Sequence, residues 1–195
     1  QSAPSPPTQK IDRTPADRAP VARSRLLSQY AELLTVTEND LDPVALSEEA
    51  VALAPEGESP LRARILVTHA RVLANVGRED EAEPFATEAL GLAERLSRPV
   101  LASDVMTTLS GLHVKTAVGS EQEALRTALE VAVVRSQETG ALNAELRGRF
   151  LLGRSHQDDG EWDVAARWFA SCLEAGTRAG TPWAPYVMAS RWQLA

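Results

Sequence analysis

The stretch GEWDVAARWFASCLEAG, Gly160–Gly176, decides how this chain is read. It packs two tryptophans, a phenylalanine and the only cysteine of a 195-residue sequence into a few turns, with His156 just upstream. Two readings compete. In the first, Cys172 and His156 form a nucleophile and its base, which needs a thiolate within hydrogen-bond reach of an oriented imidazole. In the second, the stretch is a packing seam. Gly160 makes a turn, and Ala165 and Cys172 share one helix face seven residues apart. A buried cysteine commonly behaves as a small hydrophobe, so the spacing favours the seam and a non-enzymatic protein.

Two further stretches carry the same spacing. VGREDEAEPFATEAL at 76–90 and VGSEQEALRTALEVA at 118–132 align with DGEWDVAARWFASCL at 159–173. The turn glycines Gly77, Gly119 and Gly160 lie 42 and 41 residues apart. Five residues after each stands an alanine: Ala82, Ala124, Ala165. Twelve after come Ala89, Val131 and Cys172. Before the turns stand Ala70 and Gly153, with Gly111 one residue further back, which implies a turn one residue longer in the middle unit. Antiparallel helices joined by a tight turn approach to about 8–10 Å, where only small side chains fit at the crossing. Leu66, Leu73, Phe85, Leu109, Leu152 and Phe169 are expected to fill the space between. AVALAP at 50–55 echoes the end of a fourth, degenerate unit. The fold class is therefore all-α, a right-handed solenoid of about four stacked helix pairs over residues 22–195.

These residues resemble the tetratricopeptide repeat, through Gly153, Gly160, Trp162, Ala165, Trp168 or Phe169, and Cys172 in the last unit and Gly77, Ala82, Phe85 and Ala89 in the first. The period exceeds the usual 34 residues. Pro84 departs from the pattern and is expected to kink its helix or delay its start. The longer period and phrases such as EALGLAERLSRPVLASDVMTTLSGL are similar to the repeat region of large ATP-binding LuxR-type bacterial regulators of the maltose-activator-like group. That resemblance implies a cytoplasmic protein with a P-loop ATPase before the repeats and a DNA-binding helix-turn-helix after them. ATP and DNA would be bound by those parts. This stretch has no G-x-x-x-x-G-K-[ST] motif, and no cofactor is expected in it. A generic adaptor array from another signalling protein is the alternative.

Bulk properties narrow the field. The net charge of −7 leaves no basic footprint for nucleic acid. One cysteine cannot form an internal disulfide, no apolar run approaches a membrane span, and no metal-ligand spacing stands out: His69, His113 and His156 fall out of register. Residues 1–21 hold five of twelve prolines and read as a linker. The start at Gln1 and the helical SRWQLA end read as a piece of a longer protein. Ser59–Pro60 and Thr181–Pro182 read as helix starts. Trp162, Trp168, Phe169, Trp183 and Trp192 at helical spacing read as core.

The candidate binding residues are cationic. Arg64 and Arg71 lie thirteen and six residues before Gly77, and Arg147 and Arg154 stand at the same distances before Gly160. With Asn75 and Lys115 they are expected on the groove-lining face of first helices, where they suit a protein segment or a small acidic ligand. Self-association is the other expected use of the array.

Overall fold

The computed structural model describes residues 15–35, 41–114 and 117–195. Nine helices and no strand occur among the described residues. They are α1 (Pro15–Leu34), α2 (Pro43–Ala52), α3 (Pro60–Asn75), α4 (Glu79–Arg95), α5 (Pro99–Gly111), α6 (Ser120–Thr139), α7 (Leu142–Asp158), α8 (Trp162–Arg178) and α9 (Pro185–Gln193). Each helix packs on the next. In addition the backbones of α1 and α3, α3 and α5, α5 and α7, and α7 and α9 come close, whereas no two even helices approach as closely among the described residues. Helix pairs α1/α2 to α7/α8 thus stack as an α-solenoid, and α9 follows the last pair. The odd helices form its close-packed layer and the even ones the spaced layer.

Local signals place the helix ends. The Ser59 hydroxyl accepts the Arg62 amide at 3.1 Å, as a Ser-Pro start predicts. Asp42 does the same for Val44 and Ala45. Gly77 and Gly160 have φ of +80° and +76°. Each closes its helix by paired bonds, Arg78 N to Leu73 O with Gly77 N to Ala74 O, and Glu161 N to His156 O with Gly160 N to Gln157 O. Ser97 closes α4 in the same way at φ +52°, without glycine's freedom.

The predicted small residues hold in the outer units. Ala70, Ala82, Ala89, Ala165 and Cys172 are fully buried. A Cβ added to Gly153 would sit 2.5 Å from the Phe169 ring. Phe169 is therefore seated in the gap that Gly153 leaves. Leu66, Leu73 and Leu152 are core, with Phe85 and Leu109 packed against it.

The middle unit departs from its expected register. Its connection runs over residues 112–119, against 76–78 and 159–161 in the others, so it is longer by more than the one residue expected. Gly119 still turns at φ +63°. However, α6 is rotated, and its buried stripe is Arg126, Leu129, Ala132, Val133 and Ser136. Ala124 and Val131 are exposed instead. Gly111 faces Leu151 of α7 and not α6. The close approach is made by Gly148, whose added Cβ would meet Val133 at 2.5 Å.

Other expectations shift at helix ends. Residues 1–14 of the expected linker lie outside the described residues, but α1 begins at Pro15 and not near Val21. Proline suits a first turn, and Ala16, Arg18 and Ala19 favour helix. α4 starts on schedule at Glu79 and carries Pro84 inside it, so no delayed start occurs. α9 opens at Pro185, while Thr181 instead bonds back to the Gly176 carbonyl.

Two stability changes follow. Gly153→Ala should cost about 1–3 kcal/mol by overpacking against Phe169. Ser97→Gly should raise stability by about 0.5–1 kcal/mol by relieving a left-handed non-glycine cap. Urea unfolding followed by circular dichroism measures both, and a neutral Gly153→Ala would mean the ring is not wedged.

Candidate functional site

The odd-helix layer is tied together by an ionic chain. Arg71 on α3 reaches Glu32 of α1 at 2.9 Å and Asp104 of α5 at 3.2 Å. Arg147 on α7 takes the other oxygen of Asp104 at 2.8 Å and the Asp104 carbonyl at 2.7 Å. The Thr68 hydroxyl accepts from Arg71 Nη2, and the Thr108 hydroxyl accepts from the same Arg147 Nη2 that meets Asp104. The chain therefore spans four consecutive odd helices through one carboxylate. Both arginine side chains are buried, at 12% and 8% exposure, so their charges are usable only because they are paired. Burial pushes the Asp104 carboxyl up, but Arg147 and Arg71 outweigh it and hold the group below its ordinary range. Arg71 is held above its ordinary range: burial opposes this, and Asp104 and Glu32 prevail, with Tyr186 of α9 also near enough to contribute.

This changes the expected cationic groove. Arg71 and Arg147 do lie on the odd-helix layer and are brought to one carboxylate, but they offer no free charge to a ligand. Arg154 stands 3.6 Å from Asp158 and is only partly exposed. Asn75 donates to Thr35 at 3.1 Å, tying α3 to the end of α1. Arg64, one face-repeat before Arg71, is exposed. Lys115 lies outside the described residues. Asp104 and Glu32, which do the ordering, were not among the expected site residues. One signal was available: Asp104 is the sole charged residue in Pro99–Gly111.

The Cys–His reading loses its geometry. Cys172 is fully buried among Leu146, Ala175 and Val187 and donates to the Leu146 carbonyl at 3.4 Å. Burial raises its thiol pKa, the reverse of what a nucleophile needs. His156 is bonded to Glu161. Glu161 also meets Arg126 of α6, a buried side chain that holds the α7–α8 turn through Ser155, Asp159 and Glu161. His69 is bonded to Ser47, and His113 stands 3.8 Å from Glu83, so the three histidines sit in separate surroundings. No group of three or more His, Cys, Asp or Glu able to hold a metal occurs among the described residues. Of the aromatics expected in the core, Phe169 is buried and Trp168 packs on Leu129, Val133 and Leu152. Trp162, Trp183 and Trp192 are exposed, Trp192 at 77%. They stand at a helix start, in the α8–α9 turn and on α9, where no neighbouring helix covers them.

No protein-family model and no curated protein matches this chain. Among solved structures, it is similar to a crystal structure of nearly identical TPR-like repeats assigned to a kinesin light chain of Podospora anserina. The match has a TM-score of 0.55 at 17% identity and covers 93% of this chain and 86% of that one. At that identity the likeness concerns fold: this chain is a TPR-like helical repeat. No helix among the described residues is long and apolar enough to cross a membrane.

Removing Asp104 should leave two buried guanidiniums short of an acceptor. Asp104→Ala is expected to cost about 3 kcal/mol. A carboxyl held below its unfolded pKa stabilises the fold above that pKa, and the contribution fades as pH falls through the lower, folded value. Wild-type stability should therefore drop below about pH 4, and Asp104→Asn should flatten that dependence. Urea midpoints at pH 3, 4 and 7 read this directly; equal slopes in both proteins would count against the chain.

Proposed function

We propose that this chain is a non-catalytic protein-interaction module, and that it serves as the repeat region of a LuxR-type bacterial transcriptional regulator. The observation that carries the first part is the continuous odd-helix layer, held in fixed register by Glu32, Arg71, Asp104 and Arg147. Solenoids use such layers as extended binding surfaces. With Arg71 and Arg147 neutralised from within, the layer suits a protein segment better than a small acidic ligand. Arg64 is the exposed cation that a carboxylate of such a segment would meet. The regulator context rests on the sequence resemblance, through the period near 42 residues and the phrase at 88–112. Signal reception or self-assembly is its role in that setting, with ATP and DNA handled by other parts of the protein.

The test is the coding sequence on either side of this segment. A P-loop ATPase before it and a helix-turn-helix after it are the expected finding. A kinase or cyclase domain in those places would replace the regulator with an adaptor array of another signalling protein, and would leave the interaction module standing. Arg64→Glu should weaken binding of a partner segment by about 3-fold or more, measured by titration calorimetry once the parent protein supplies that partner.

A further inference from the structure

The spaced layer holds a cleft of about 280 Å³ that the odd-helix surface does not include. It lies between α2 and α4, over α3. His69 lines it with only 3% of its surface exposed. Its ring stands edge-on to Phe85, with centroids 4.5 Å apart. The Ser47 hydroxyl gives its single proton to the Val44 carbonyl at 2.9 Å. With that proton on the Val44 carbonyl, the 2.8 Å contact between Ser47 and His69 Nδ1 is assigned as donated by the imidazole. That assignment puts the proton on Nδ1, and the Nε2 lone pair then has no partner among the described residues.

We propose that this cleft binds a primary ammonium group on a short apolar chain, with His69 Nε2 as the acceptor and Glu48 as the counter-charge. Leu73 and Val51 offer the apolar wall. Glu81 is occupied by a two-pronged pair with Arg78, at 2.7 and 2.6 Å, whereas Glu48 at the rim acts on Arg78 through its charge without such a pair. An anion would face the lone pair and this carboxylate together. A neutral imidazole is what the role requires, and burial holds His69 below its ordinary range against the pull of Glu48 and Glu81, with Arg78 assisting. The volume falls just short of the roughly 300–1,000 Å³ of drug-sized sites, so the occupant is small. Such an ammonium comes from a free amine or from the lysine side chain of a partner.

The experiment is a nitrogen-15 NMR titration of the His69 ring in this chain. The probes are n-butylammonium chloride, n-butanol and Nα-acetyl-lysinamide at pH 7.5. n-Butylammonium should move the Nε2 resonance saturably and bind about 3-fold or more tighter than n-butanol. Glu48 is exposed, so Glu48→Gln should keep the fold by circular dichroism and erase that preference. Binding should weaken as pH falls through the lowered titration range of His69, where imidazolium presents a donor and a positive charge. Equal binding by the lysinamide assigns the site to a partner's lysine, and binding by n-butylammonium alone assigns it to a free amine. No saturable shift with either ammonium, or an unchanged preference in Glu48→Gln, overturns the proposal. Neither result bears on the odd-helix surface.

Discussion

The structure depends on how closely paired helices approach. Two helices of ordinary composition pack at about 8–10 Å, and the lower end is open only where side chains are small. Ala70, Ala82 and Ala89 supply that condition between α3 and α4, and Gly153, Ala165 and Cys172 between α7 and α8. Phe169 shows the constraint from the other side, since its ring occupies the volume a Cβ on Gly153 would take. Gly176 repeats the arrangement with Val187 and carries the stacking on to α9.

Close pairing then determines what happens across the odd-helix layer. Once each odd helix lies against its odd neighbours, long cationic side chains on their facing surfaces lose water. A guanidinium in that position needs a carboxylate partner. Asp104 meets that need for Arg71 and Arg147 at once, and Glu32 completes it at the α1 end. The layer gains a fixed register and gives up the free positive charge that its arginines suggest. The cleft over His69 lies in the spaced layer, between α2 and α4.

Much of the fold was legible. Glycine-alanine spacing at Gly77/Ala82 and Gly160/Ala165 marks real turns and real crossings, because a turn and a close approach are local demands on residue size and φ. The site was less legible. The seven-residue spacing of Arg64/Arg71 and Arg147/Arg154 correctly puts each pair on one helix face, but spacing within a helix is silent about what stands opposite. Asp104 lies 33 residues from Arg71 and 43 from Arg147.

The sequence by itself determined that the chain is helical, that it is built of pairs, where most pairs turn, and that Cys172 is a packing residue. Each of these follows from periodicity or from the size of a residue at a fixed offset. Only the tertiary structure decided the rotation of α6, which turns Ala124 outward and sets Val133 against Gly148 of α7. It also decided the pairing of the arginines and the exposure of Trp183 and Trp192. The reason is the same in each case: burial and charge pairing are properties of neighbours brought together from distant segments, and a repeat pattern describes each segment alone.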